Sequence, residues 1–174
     1  TNFRIRGVDP SRINITVDGI PLNDAESQQV FWVNMPALSS SLNSIQVQRG
    51  VGTSTNGAAA FGATVNMQTS SPSVDPYAAV NTTFGSFNTG IYTVKAGTGL
   101  IKDKLGFDVR YSKLKSDGYV DYASSDNRSM QFTGTYFTRK GRLKADVILG
   151  EEHTGISWWG IDEVTLDTNR TYNP

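Results

Sequence analysis

Long segments of two-residue alternation between residues 77 and 149 constrain the fold of this chain more than any other feature. From Leu105 to Tyr111 every second residue is apolar, and the residues between them are small or polar. Similar alternation recurs in residues 78–84, 92–100, 130–136 and 143–149. Because successive side chains of a β-strand point to opposite faces, each segment predicts a strand with one apolar and one polar face.

The connections between these segments differ in length. Residues 101–104 and 138–141 are short and turn-prone, whereas 116–127 and the polar, aromatic stretch 151–174 are longer. Strands of roughly ten residues, joined by tight turns at one end and long loops at the other, are typical of outer-membrane β-barrels. A soluble antiparallel sandwich also alternates, so periodicity alone leaves both architectures open.

Composition excludes several other classes. The 174 residues carry 16 Lys and Arg against 16 Asp and Glu, so no basic surface for nucleic acid is expected. The chain has no cysteine, which excludes disulfide scaffolds and thiolate-bound metal centres. No apolar run approaches the roughly 18 residues of a membrane-spanning helix. The first residue is Thr1, with no initiator methionine and no signal-peptide pattern, so we expect a piece of a longer protein.

Residues 1–69 have a different sequence pattern, in which short β-prone segments are separated by turn signals. Alternation predicts strands over 13–17 and 44–48, and the Asp18-Gly19 pair predicts a turn rather than a catalytic carboxylate. The less regular stretch 24–42 is expected to hold a helical turn or two.

Two prolines and three serines in residues 70–76 predict an extended linker. The expected organisation is therefore a first domain over 1–69, a linker over 70–76, and strands with their loops over 77–174.

Four ordered sequence blocks in the first domain decide between the two architectures. These are FRIRG at 3–7, ITVDGIPL at 15–22, IQVQRG at 45–50 and NGAAAFGATVN at 56–66. In this order and at similar spacing they resemble the plug domain of TonB-dependent outer-membrane transporters. The resemblance implies a mainly β fold: a fragment of a plugged antiparallel transmembrane β-barrel, in which a small mixed α/β plug precedes the first five or so barrel strands. A barrel of about 22 strands needs several hundred residues, so the remaining strands are expected outside this chain.

The resemblance also implies a function. It predicts a receptor in the outer membrane of a Gram-negative bacterium that takes up a scarce solute, foremost an iron complex such as a ferric siderophore or haem. The implied partners are outer-membrane lipid, the rest of the same barrel, the small-molecule solute, and the TonB complex, which acts through a TonB box absent from this fragment. The alternatives are a passive barrel or adhesin without energised transport, and a soluble β-sandwich binding module.

For the strands, the barrel interpretation predicts which side chains meet lipid and which face the lumen. The residues expected to face lipid are Phe107, Val109, Phe132 and Val147. The residues expected to face the lumen and plug are Asp108, Arg110, Thr133 and Asp146.

Two arginines stand in the Arg-Gly blocks. By resemblance, Arg6 and Arg49 pair with glutamates of the inner barrel wall, where a guanidinium can bind a carboxylate through two hydrogen bonds. The alternative is that both are exposed arginines at strand ends, where ion pairs contribute little. Asp18 and Gly19 are expected to form a turn between plug strands.

The resemblance places residues 24–34 at the outward-facing apex of the plug. Gln28, Gln29, Phe31 and Trp32 are candidate solute-binding residues there, because rings supply contact area and amides supply directional hydrogen bonds. Burial of Phe31 and Trp32 in the core is the competing interpretation.

His153, Trp158 and Trp159 are assigned to an extracellular loop. One histidine does not make a metal centre, because such centres need three or four converging ligands. The paired tryptophans are expected to pack between loops or to lie at the membrane interface. No catalytic residue, metal site or cofactor is predicted, and the chain is not expected to be an enzyme.

Overall fold

The computed structural model describes residues 4–32, 35, 38–50, 61–155, 157 and 159–174. The chain divides into two compact units, Thr1–Ser71 and Pro72–Pro174. Trp158, Phe3 of the first sequence block and residues 56–60 of the fourth lie outside the described residues.

The first unit is built on a mixed four-stranded sheet. Its strands are β1 (Ile13–Val17), β2 (Ile20–Pro21), β3 (Leu42–Arg49) and β4 (Ala63–Thr69). The order across the sheet is β2-β1-β4-β3. β1 and β4 run parallel, from Ile13 opposite Ala63 to Val17 opposite Met67, whereas β3 is antiparallel to β4. The predicted strands over 13–17 and 44–48 are therefore present, the second of them longer than predicted.

The helical content of the described part of this unit is short. One 3-10 helix, Pro10–Arg12, precedes β1, and a second, Leu38–Ser41, precedes β3. Asp9 begins the first helix by accepting a hydrogen bond from the Ser11 backbone N–H at 3.0 Å. The 3-10 turn at 38–41 lies in the stretch 24–42, where a helical turn or two is expected.

The first unit has its own hydrophobic core. The buried apolar side chains are Ile13, Ile15, Val30, Leu38, Ala63, Val65 and Met67. The β1 and β4 side chains among them come from the central strands, which are flanked on both sides and bury their apolar residues first. The core fixes the loop that follows β2, because Val30 of that loop is one of its members.

The second unit is a meander of five antiparallel strands. These are β5 (Tyr77–Gly85), β6 (Thr89–Gly97), β7 (Leu105–Ser116), β8 (Ser125–Thr138) and β9 (Gly141–Thr154), in sequence order across the sheet. A short helix, α1 (Glu163–Thr168), follows, and the Asp162 side chain caps it by accepting from the Thr165 N–H at 2.8 Å. The five predicted strands and the mainly β fold class are confirmed.

Several strand ends differ from the prediction. β8 begins at Ser125, and the connection after β7 is 117–124 rather than 116–127. β6 ends at Gly97 instead of residue 100, because Gly99 takes a left-handed conformation with φ of +68°. The Leu100 N–H then bonds the Val74 carbonyl at 2.9 Å and leaves the ladder.

Candidate functional site

The two faces of the five-stranded sheet are inverted relative to those of a water-soluble sheet. Arg110 is 4% exposed and Thr133 is 3% exposed, whereas Phe132 is 44% exposed and Val147 is 51% exposed. The register places Val109, Phe132 and Val147 side by side on one face, and Arg110 beside Gln131 on the other. A sheet with exposed apolar and buried polar side chains is typical of a membrane barrel, in which the outer face meets hydrocarbon. The predicted division of side chains between the faces is confirmed, and contact with lipid stays a prediction.

Hydrogen bonds connect the polar side chains across the strands. The Thr93 and Ser112 hydroxyls lie 2.9 Å apart. Asp146 Oδ1 accepts from the Thr133 hydroxyl and, at 3.2 Å, from Gln131 Nε2. Lys144 Nζ lies 3.4 Å from Asp146 Oδ2, so this carboxylate is occupied on both oxygens. Such side-chain bonds between neighbouring strands hold the polar groups of this face in fixed positions.

The loop predicted as a solute-binding apex is organised by one carboxylate. Asp24 Oδ1 accepts hydrogen bonds from the Ser27 N–H at 2.7 Å, the Ser27 hydroxyl at 2.9 Å and the Glu26 N–H at 3.1 Å. The bonds from the Ser27 N–H and hydroxyl, followed by that from Glu26, lower the pKa of Asp24 below its usual value of 3.8. Gln28 has a positive φ of 57°, and its N–H bonds the Asp24 carbonyl at 2.9 Å. The loop is thus a closed turn with a defined backbone.

Asn23 ties this loop to the first strand, a role that sequence reasoning missed. Its Oδ1 accepts from the Ile15 N–H at 2.8 Å, and its Nδ2 donates to the Ile13 and Gln28 carbonyls, both at 2.9 Å. An Asn after a Pro-Leu pair is a turn signal in the sequence, but nothing local identifies the strand that it reaches.

The four predicted binding residues divide into two pairs. Gln28 and Phe31 are exposed, with the Phe31 side chain 53% exposed. Gln29 and Trp32 are half-buried, and Trp32 packs against the hydrophobic core. The structure therefore brings Gln28 and Phe31 to the surface and turns the Trp32 ring toward the interior. Solute binding by these four residues stays a prediction.

Trp32 also borders an open apolar cavity of about 580 Å³ in the first unit. Its walls include Met35 and Leu38 on one side and the β3 residues Ile45 and Val47 on the other. Nearly all of the lining is hydrocarbon, so the cavity can accept only an apolar group. Ile45 and Val47 alternate with glutamines in the sequence, and that alternation is the signal for an apolar face on β3.

Arg6 and Arg49 are both exposed. Arg6 has a φ of 54° in the turn that precedes Gly7, and Arg49 is the last residue of β3. Pairing with glutamates of a barrel wall stays a prediction for both arginines.

Asp18 and Gly19 occupy the two central positions of the turn between β1 and β2, with φ values of 50° and 83°. Both values suit the mirror-image turns that join two antiparallel strands with two residues. The Asp18 carboxylate accepts from the Thr69 N–H at 3.0 Å and also from the Thr69 hydroxyl, which joins this turn to the end of β4.

The predicted loop residues lie toward the chain end. His153 belongs to β9 rather than to a loop, and its Nε2 lies 3.0 Å from Glu151 Oε1 with both side chains largely exposed. Trp159 is 72% exposed in the segment after β9. Within the described residues, no three His, Asp or Glu side chains converge on one point, and no helix is long and apolar enough to cross a membrane.

Residues 1–64 match the model of the TonB-dependent receptor plug domain. The match shows a plug domain of this kind over these residues. The four sequence blocks that carried the resemblance fall within the matched region or at its end, and the inverted sheet follows it along the chain.

Solved structures of such receptors share the fold of the whole chain. The ferric citrate transporter FecA in the unliganded form has a TM-score of 0.76 at 20% identity, over 99% of this chain and 27% of that one. The siderophore receptor PirA from Acinetobacter baumannii has a TM-score of 0.61 at 19% identity, over 86% of this chain and 25% of that one. The copper transporter OprC has a TM-score of 0.68 at 17% identity, over 88% and 25%.

At these identities the likeness shows the fold, a plug-like unit followed by antiparallel barrel strands. The chain spans about a quarter of the length of these structures. No curated protein matches it.

Proposed function

We propose that the protein containing this chain is a receptor in the outer membrane of a Gram-negative bacterium that imports a scarce solute with energy supplied through TonB. The observation that carries the proposal is the inverted sheet that follows the plug. Its apolar face suits hydrocarbon, and its polar face suits the inside of a barrel. A soluble sandwich would need a second sheet packed on Leu143, Val147 and Leu149, and these side chains are exposed, which makes that alternative the weaker one.

The solute class that we propose is an iron complex, such as a ferric siderophore or haem. This choice is supported by structural neighbours, which include a ferric citrate transporter and a siderophore receptor. Because a copper transporter shares the fold, copper belongs among the competitors in any uptake assay.

In this proposal residues 1–69 act as the plug, 70–76 as the linker and 77–174 as the first strands with their loops. The solute is bound from outside by the 24–32 loop together with extracellular loops, among them the segment after β9 that contains Trp159. The closed turn around Asp24 presents Gln28 and Phe31 in fixed positions, so little ordering entropy is lost when a solute binds. Arg6 and Arg49 bind carboxylates of the barrel wall. TonB then rearranges the plug and releases the solute.

Uptake of a labelled iron complex by cells that express the intact receptor tests the proposal. We expect uptake that requires both the receptor and TonB, at equal receptor abundance in the outer membrane. Unlabelled copper at the same concentration should not compete. Uptake that ignores TonB would favour a passive barrel, and failure to fractionate with the outer membrane would favour a soluble module.

A further inference from the structure

The polar face of the five-stranded sheet contains a buried arginine that has no partner within the described part of the chain. Arg110 lies on the central strand β7 and is 4% exposed. None of its Nε, Nη1 and Nη2 atoms makes a hydrogen bond to a described residue. The ion pairs formed within the sheet are Lys113–Asp126, Lys144–Asp146 and His153–Glu151, and Arg110 belongs to none of them.

A guanidinium in this position strongly favours binding an anion. Arginine stays protonated at any physiological pH and carries five N–H donors in a planar fork. A buried charge without a counter-charge is among the costliest arrangements in a protein. Water can satisfy the donors, but it does not neutralise the charge.

A second cation lies directly beside Arg110. Lys95 of β6 is its register partner on the same face. Like charges directly opposite one another on neighbouring strands repel at Cβ separations of about 5 Å. On β8 the register partner of Arg110 is Gln131, and two residues before it the Ser129 hydroxyl is buried and makes no hydrogen bond to a described residue. No hydrogen bond joins the Arg110 guanidinium or this hydroxyl to an acceptor among the described residues.

Nearby acceptors on the same face are partly or fully engaged. Asp146 is bound by Thr133, Gln131 and Lys144. Asp108 lies two residues before Arg110, and its Oδ1 accepts from the Tyr77 hydroxyl at 2.8 Å. Its Oδ2 is buried and has no described partner. With Lys95 and Arg110 positive and Asp108 negative, this part of the face has a net charge of one.

We propose that Lys95 and Arg110, assisted by the Ser129 hydroxyl, bind a carboxylate on the polar face of this sheet. A carboxylate matches the guanidinium fork with two parallel hydrogen bonds, and its single charge neutralises the local excess. A phosphate carries nearly two charges and would leave an excess of negative charge beside Asp108. The carboxylate comes either from an acidic side chain elsewhere in the same polypeptide or from a free small molecule in the barrel. The inference rests on the proposed function only in taking the polar face as the inner face of a barrel.

Binding and unfolding of the purified, detergent-solubilised intact receptor test this site without any transport step. Acetate, which carries one carboxylate and one negative charge, is the free carboxylate probe, and phosphate is the comparison anion. The variants are Arg110→Gln and the conservative Arg110→Lys. Arg139→Gln is the matched control, because Arg139 loses the same charge in an exposed two-residue turn.

Two results support the site and distinguish the source of the carboxylate. If the carboxylate is free, wild type binds acetate more tightly than phosphate, and Arg110→Gln weakens acetate binding at least tenfold. If it belongs to the polypeptide, acetate has no effect, and Arg110→Gln lowers the melting temperature by more than about 2 °C. In both cases Arg110→Lys lies between wild type and Arg110→Gln, and Arg139→Gln behaves as wild type.

Two other results overturn it. The first is that wild type does not bind acetate and that Arg110→Gln melts at the same temperature as wild type. The second is a double variant, Asp108→Asn with Arg110→Gln, that is no less stable than either single variant, which would mean that Arg110 pairs with Asp108 alone. If Arg110→Gln does not assemble, the same two measurements are made on Lys95→Gln. Anion binding and a melting temperature equal to those of wild type would then overturn the site. TonB-dependent uptake can persist when the binding and melting results contradict this site. Equally, those results can support the site when uptake does not depend on TonB.

Discussion

At the scale of single residues, the Asp24 carboxylate determines the conformation of the proposed apex loop. The ionised carboxylate accepts its three hydrogen bonds at full strength, whereas the protonated acid does not. The three bonds therefore lower the pKa of Asp24 below 3.8. A carboxylate with a lowered folded-state pKa stabilises the folded loop at pH values above its unfolded pKa. That contribution is lost as the pH falls through the folded-state pKa.

We therefore expect the Ser27 and Glu26 amides to be protected from hydrogen exchange near pH 7 and to lose protection below about pH 3.8. Protection factors of the intact receptor, measured across this range, provide the test. Asp24→Ala should remove the protection at every pH. Glu26→Gln, which removes a neighbouring exposed charge, should leave the profile unchanged, and an equal effect of both variants would contradict the role of Asp24.

Trp32 and Phe31 are neighbours with opposite surroundings, which makes them a matched pair. Trp32 packs against the core, so Trp32→Ala should destabilise the plug by up to about 3 kcal/mol and reduce the amount of folded receptor. Phe31 is exposed, so Phe31→Ala should change stability by less than about 0.5 kcal/mol and weaken solute binding instead. Surface abundance and equilibrium binding, measured on both variants, separate the two roles. Loss of abundance in Phe31→Ala would mean that this ring, too, is structural.

The sequence identified this loop by composition but could not divide its residues. Amides and rings between Gln28 and Trp32 predict a binding surface whichever way each side chain points. Direction was set by contacts from other parts of the chain: the core packs against Trp32, and Asn23 connects the loop to β1. For the same reason the isolation of Arg110 could not be predicted, because it depends on what β6 and β8 place beside it.

At the scale of elements, the last two strands of the second unit are longer than their alternating segments. β8 and β9 each contain 14 residues, whereas the alternation marked about seven in each. Alternation records only where one face must be apolar, and backbone hydrogen bonding continues beyond that band into polar residues such as Asp126 and His153. A sequence therefore predicts the apolar band of such a strand better than it predicts its ends.

Adjacent residues at the middle of β9 provide a sharp test of the two faces. Val147 pairs with Phe132 on the apolar face, and Ile148 pairs with Gln131 on the polar face. They are similarly exposed, at 51% and 44%. An arginine on the lipid side near the midplane costs roughly 2 to 4 kcal/mol, so Val147→Arg should impair assembly and Ile148→Arg should be tolerated.

The fraction of folded receptor, measured by its altered gel migration before heating, reports the difference between these variants. Thr133→Arg is a poorer comparison, because Thr133 is buried and donates a hydrogen bond to Asp146. Equal impairment by Val147→Arg and Ile148→Arg would count against a membrane barrel and revive the soluble sandwich.

At the scale of the whole molecule, the connections of the second unit predict different compartments for its two ends. One end has the 98–104 connection and the two-residue turn Arg139-Lys140, whose geometry is fixed by the Thr138 hydroxyl donating to the Gly141 carbonyl at 2.9 Å. The other end has the three-residue turn 86–88, the segment that follows β9 and the eight-residue connection 117–124, which is held to the chain end by the Asp121 N–H bonding the Thr171 carbonyl at 2.7 Å. In outer-membrane barrels short turns face the periplasm and longer loops face outward.

We expect a maleimide that cannot cross the outer membrane to label Ser124→Cys in whole cells and to label Lys140→Cys only after the cells are broken. Both positions are exposed, and the chain contains no cysteine of its own to react. Ser124 is the better outer position than Ser125, because the Ser125 hydroxyl lies 2.9 Å from that of Thr154 within the sheet. Equal labelling in broken cells controls for reactivity, since thiol reactivity depends on local surroundings. Labelling of Lys140→Cys but not of Ser124→Cys in intact cells would invert the topology. It would place the 117–124 connection in the periplasm, where it could not help to capture an external solute.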